Sequence, residues 1–112
     1  MIRIKKSTGE AFQVFICYET TTALSFAKNL KESLAKQKYT AFVAAEDTPV
    51  GVNHRDYRYS IIRGAPIFIL IMTVVGLNSD EVHNEINEAI KYKKQIIPVL
   101  SKFFISTANF IK

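Results

Sequence analysis

Residues 66–72 read PIFILIM, a run without a single polar side chain. A strand with one face in water alternates polar and apolar residues, so this run reads as a strand covered on both faces, as in a parallel sheet. Three further apolar runs read the same way: FQVFICY (12–18), TAFVAA (40–45) and IIPVL (96–100). Helical spacing separates them. Ala23, Phe26, Ala27, Leu30 and Leu34 recur at i, i+3, i+4, i+7 and i+11, which predicts an amphipathic helix capped by Thr20 or Thr21 and ending near Lys38. A short helix is expected over Asp56 to Arg63. A third runs from Ser79 to about Lys93, with Asn78 as N-cap and Glu81 at capping-box distance. The order β-α-β-α-β-α-β predicts a doubly wound α/β layer fold with the first strand central. Such sheets bind ligands beyond the carboxyl ends of their strands, which directs attention to residues 18–22, 45–55 and 73–80.

The 112 residues suffice for one domain with its own core, and no repeat or low-complexity segment interrupts them. Residues 1–10 read as an N-terminal extension, with the domain proper at 11–112. The tail after Leu100 is apolar but unpatterned. One cysteine, Cys17, excludes an internal disulfide and suits a reducing, cytoplasmic setting, where it reads as a buried inert thiol. The longest apolar run, Ala65 to Val75, falls short of the ~18 residues of a membrane span. The net charge of +5 is scattered without interleaved aromatics, so a solvated surface is favoured over nucleic-acid binding.

The segment NSDEVHNEI (78–86) gathers three carboxylates and a histidine at the start of the third helix. On a helical wheel Val82, Ile86, Ala89 and Ile90 form the stripe that must face the sheet, and Glu85 lies about 85° from it, Glu81 about 125°, and Glu88 farther still. Glu85 alone borders the core near the ligand-binding edge. Periodicity by itself favours an ordinary wetted face, with Glu85 reaching Lys91 or Arg63. His83 lies on the opposite flank and is not expected to pair with Glu85.

Together these segments resemble the Toll/interleukin receptor (TIR) domain family. AFQVFICYE (11–19) resembles its first box, AAEDTPVG (44–51) its second, IIRGAPIFILIMT (61–73) its second helix and third strand, and SDEVHNEINEAI with KKQIIPVL (79–100) its third helix and fourth strand. The resemblance implies a flavodoxin-like three-layer fold with a central parallel sheet in the order 2-1-3-4, and leaves a fifth strand missing or truncated after Leu100. It also implies homotypic self-association and, in the prokaryotic-type NAD-cleaving branch, hydrolysis of the nicotinamide–ribose bond in immune or defence signalling. NAD+ enters there as substrate, and neither a cofactor nor a metal is called for.

The branch's catalytic glutamate falls on Glu85, within the pattern Ser79, Glu85, Ile86, Ala89 and Ile90. Substrate contacts are implied for Tyr18, Glu19 and Thr20 after the first strand, and for Ser79 before the helix. The loop from Glu46 to Arg55 is implied to be a mobile contact over the pocket, shaped by Pro49 and Gly51, with His54 and Arg55 in reach of phosphate. Two features depart from the enzymatic pattern: Glu19 stands where many relatives carry a basic residue, and no Trp precedes Val82. A non-catalytic TIR interaction module is therefore the rival. A metal-dependent receiver is excluded by Cys17-Tyr18 and Met72-Thr73 at strand ends where it needs acids, and a flavin carrier is disfavoured by ETTTA (19–23), which has no glycine. GxxxxGK[ST], CxxC and HExxH are absent.

Overall fold

The computed structural model describes residues 12–101, so the expected N-terminal extension and the tail after Ser101 lie outside the described residues. Four parallel strands, β1 (Val14–Cys17), β2 (Ala41–Phe42), β3 (Ile67–Met72) and β4 (Gln95–Leu100), form one sheet in the order β2-β1-β3-β4. Between them run α1 (Thr20–Lys36), α2 (Ala44–Asp47), α3 (His54–Gly64), α4 (Val74–Leu77) and α5 (Asp80–Lys91). This is the doubly wound, flavodoxin-like α/β fold, with β1 inside the sheet.

Alternation along β1 divides the core into two layers. Val14 and Ile16 pack with Ala23 and Ala27 of α1 on one face, while Phe15 and Cys17 meet Ile61 and Ile62 of α3 and Val82 and Ala89 of α5 on the other. Register places Phe42, Phe15 and Phe68 side by side across β2, β1 and β3, and their rings stack at 5.3 and 5.5 Å. Each is buried, a contribution of about 2–3 kcal/mol per ring. Both layers thus pack against β1 beneath its carboxyl end.

Several boundaries differ from the sequence reading for local reasons. The run at 40–45 yields only two strand residues, because the Asp47 carboxylate accepts from Val43 N at 2.9 Å and Glu46 N donates to Val43 O, turning the chain into α2. Glu19, rather than Thr20 or Thr21, caps α1, and Lys38 at φ 71 stops it while Tyr39 N bonds back to Leu34 O. Asn53 accepts from Asp56 N and so starts α3 two residues early, which takes His54 and Arg55 out of the expected loop and onto a helix. Ser79, not Asn78, caps α5 by accepting from Val82 N; Asn78 instead donates to Val74 O at the end of α4, a helix the sequence reading did not contain. Among the described residues β4 is a sheet edge. Ile97 and Leu100 are exposed, so it is not covered on both faces as expected, and Pro98 suits an edge because it has no N–H to give.

Candidate active site

The carboxyl end of β1 points its chain at the place where α1 leaves toward one face and α3 and α5 cover the other, the switch point at which this architecture binds ligands. A pocket of about 90 Å³ opens there, lined by Phe15, Ile16, Tyr18, Thr20, Ala44, Arg58, Glu81 and Glu85. Its floor is apolar core and its rim is charged.

Glu85 lies deeper than the wheel indicated. Only 5% of it is exposed, whereas Ile90, expected to face the sheet, is 59% exposed. The helix is rolled so that Val82, Glu85 and Ala89 form the buried stripe. A buried carboxylate requires a partner, and it has one in Arg58. Arg58 Nε donates to Glu85 Oε2 at 2.6 Å, and the Cys17 thiol at the end of β1 lies beside the same carboxyl and favours its charged form. Neither Lys91 nor Arg63 reaches Glu85. Arg63 pairs instead with Glu88 at 2.9 Å. The second nitrogen of Arg58, Nη2, binds Glu81 Oε2, and Arg55 reaches Glu81 from the rim at 3.4 Å.

Burial dominates the electrostatics here. It raises the Glu85 carboxyl above its ordinary range, and the Arg58 guanidinium pulls the other way without cancelling it. Burial likewise pushes the Cys17 thiol well up, with Glu85 adding to the effect, so Cys17 is an un-ionised neighbour and no nucleophile. Tyr18 is raised by burial, and its hydroxyl accepts from Ala45 N at 3.1 Å, which fixes the ring against α2. His83 faces away and bonds Leu77 O through Nε2.

Of the residues singled out from the sequence, Glu85, Tyr18 and Thr20 meet at the pocket. Arg55 joins only through Glu81. Glu19 is occupied as the cap of α1, accepting from Thr22 N at 3.0 Å and from both Thr21 and Thr22 hydroxyls, and Ser79 is occupied as the cap of α5. Pro49, Gly51 and His54 are exposed and do not line the pocket; Gly51, at φ 88, makes the turn between α2 and α3. Arg58 and Glu81 are the two groups that the sequence reading missed. Their signal was complementary charge on two helices of one face: Arg55, Arg58 and Arg63 against Glu81, Glu85 and Glu88.

This geometry, a parallel 2-1-3-4 sheet with an acid of the last described helix at its carboxyl rim, defines an α/β domain with a switch-point pocket. The sequence matches the family model described as TIR domain over residues 14–109, and the chain belongs to the TIR domain family. It is 31% identical to the NAD(+) hydrolase SARM1 of Danio rerio over a 98-residue alignment covering 80% of this chain and 14% of that protein. Two solved structures share the fold. The TIR domain of the Toll-related receptor TRR-2 from Hydra magnipapillata superposes with a TM-score of 0.70 at 20% identity, covering 81% of this chain and 71% of that one. A TIR-STING receptor from C. gigas superposes at 0.71 and 20% identity, covering 91% of this chain and 33% of that one. The chain therefore spans a small part of the zebrafish and C. gigas proteins it resembles. Among the described residues no helix is long and apolar enough to cross a membrane, and no cluster of His, Cys, Asp and Glu has metal-holding geometry.

Proposed function

We propose that the pocket cleaves NAD+ at the nicotinamide–ribose bond, with Glu85 as the catalytic anion. The observation that carries this reading is the buried Glu85 carboxylate at the switch-point rim, lining a pocket walled by Tyr18. Likeness to a protein named as an NAD(+) hydrolase supports the choice of substrate.

The chemistry asks little of the protein beyond charge and position. As the bond between the ribose anomeric carbon and the ring nitrogen breaks, its electron pair moves to the nitrogen and nicotinamide leaves neutral. Positive charge passes to the ribose. No general acid is needed, and an anion beside an oxocarbenium-like ribose lowers the barrier most where water is excluded. Water then adds at the anomeric carbon and loses its proton to the carboxylate or to solvent, giving ADP-ribose. Attack by the adenine or a ribose hydroxyl of the same molecule gives a cyclic product instead. Tyr18 supplies an aromatic wall for a base and Thr20 a hydroxyl at the mouth.

Ligand pockets usually measure ~300–1,000 Å³, so a cavity of about 90 Å³ must widen to admit a dinucleotide. Ala44 at the start of α2 and the Arg58–Glu81 pair of the rim are the lining groups whose displacement would widen it. Self-association of TIR domains in the cytoplasm would drive that opening and join turnover to defence signalling.

A second reading is a non-catalytic TIR interaction module, favoured by the narrow pocket and by the engagement of Glu85 with Arg58. One experiment separates them. Concentrated protein is incubated with NAD+ and free nicotinamide is followed by chromatography, with Glu85→Ala and the surface control Glu32→Ala in parallel. Release by wild type and Glu32→Ala but not by Glu85→Ala supports the enzyme. Persistent self-association with no nicotinamide from any variant supports the module.

A further inference from the structure

Two carboxylates of α5, Glu81 and Glu85, stand one helical turn apart and converge on a single guanidinium from α3. Like charges at this spacing repel, and a buried acid alone would take up a proton. Arg58 answers both problems at once. It is nearly buried itself, with 17% of its side chain exposed, and it meets the two acids through different nitrogens, Nε and Nη2. Such a two-handed grip fixes the guanidinium plane and hence the rotamer of Glu85.

The charge sum matters for a cationic substrate. Glu81, Arg58 and Glu85 together carry −1, so pairing with Arg58 does not leave the pocket neutral. Arg55 adds its charge only from the rim, where 59% exposure leaves it to be screened by solvent. Were Arg58 a lone partner of Glu85, the pair would carry no net charge, and the pyridinium and the developing ribose cation would meet only its dipole.

We propose that Arg58 is a positioning residue for the Glu85 of the preceding section: anchored by Glu81, its guanidinium holds the Glu85 carboxylate as an oriented anion at the pocket. This rests on the NAD+-cleaving reading for its consequence in turnover, though not for its effect on Glu85. The titratable and charged groups facing Glu85 are Cys17 and Tyr18 from the end of β1, Arg58 and Tyr59 from α3 and Glu81 from its own helix. Of these only Arg58 is a cation. Its removal therefore has one sign and the removal of Glu81 the other.

The test uses the full chain with Glu side-chain carboxyls labelled with carbon-13, titrated by NMR, beside pH profiles of nicotinamide release. Arg58→Met keeps the apolar stem and deletes the charge, and it should move the Glu85 midpoint to higher pH. Glu81→Gln should move it lower, and Arg58→Lys should leave it near wild type with a broader signal. In turnover, Arg58→Met should lose about tenfold or more in kcat near neutrality, with KM little changed, and recover only in part as pH rises past the new midpoint. A Glu85 midpoint that stays put in Arg58→Met overturns the proposal, as does a kcat in Arg58→Met above wild type at every pH. If Arg58→Met does not fold, Arg58→Lys decides: a broadened Glu85 signal with lowered kcat supports the positioning role, and a signal and kcat equal to wild type overturn it. Should wild type release no nicotinamide, the enzymatic reading fails, and the titration still rules on Arg58 by itself.

Discussion

Arg58 Nε and Glu85 Oε2, 2.6 Å apart, join α3 to α5 above the end of β1, and the acid of that pair is the more deeply buried. Deleting one partner of a buried pair strands the other, at a cost of ~3–5 kcal/mol in full burial. Arg58 retains Glu81 and some access to water, so Glu85→Leu is expected to lose about 1–3 kcal/mol. Adding Arg58→Met to Glu85→Leu should return most of it, because no buried charge is then left unpaired and Glu81 keeps Arg55 and access to water. Urea unfolding of the two single variants and the double variant checks this. A double variant less stable than Glu85→Leu would contradict it.

The same burial gives stability a pH dependence. Glu85 in the folded chain titrates above its ordinary value of 4.5, because desolvation outweighs Arg58. Between those two midpoints the folded state keeps a proton that the unfolded chain has released, so the contribution of Glu85 to stability falls as pH rises through that window and then levels off. Glu85→Gln cannot titrate. Its stability relative to wild type should therefore improve as pH climbs from 4.5, whatever fixed offset the lost ion pair imposes, and a relative stability that declines over that range would be the contrary result.

The strands and the helix carrying Glu85 were legible because strand burial and helix periodicity are written in single apolar positions, as PIFILIM does not alternate and Val82, Ile86 and Ala89 repeat at helical spacing, whereas the order 2-1-3-4 came with the family resemblance. Short polar decisions were not legible. Asp47 cuts the second strand by a side-chain bond to Val43 N, Thr73 starts α4 by accepting from Gly76 N, and Asn53 outcompetes the loop before α3. The depth of Glu85 was hidden for a related reason. A wheel averages hydrophobicity, so it put Ile90 inward; the partner that Glu85 meets inside, Arg58, lies on another element and enters no local pattern.

Glu19 is expected to matter to folding through the first turn of α1. Its Oε1 takes bonds from the Thr22 amide and from the Thr21 and Thr22 hydroxyls at 2.6–3.0 Å, and the Thr21 bond foremost holds its carboxyl below the ordinary range. The folded midpoint is depressed, so this contribution is present above the ordinary value and fades as pH falls through the depressed one. Glu19→Ala should cost about 1 kcal/mol at neutral pH, while Glu19→Ser, which can still accept from the Thr22 amide, should cost less and show no acid-side loss from this position. Thermal melts from pH 3 to 7 distinguish them.

Asp47 secures α2, whose Ala44 lines the pocket, and with it the near end of the connection to α3. Its carboxylate accepts from the amide of fully buried Val43 at 2.9 Å and from Lys31 Nζ at 2.7 and 2.9 Å, tying α2 both to the end of β2 and to α1. The two ties differ in kind. The Lys31 pair is partly solvated and worth up to ~1 kcal/mol, whereas losing the acceptor for Val43 N leaves a buried donor unmet, at ~1–3 kcal/mol. Lys31→Met should therefore change stability little and leave amide exchange at Val43 slow. Asp47→Ala should destabilise more and speed exchange from Val43 through Asn53, and Asp47→Asn, which keeps an acceptor, should fall between. Equal exchange rates in Asp47→Ala and wild type would mean that the connection is held from its other end, by Asn53 and α3.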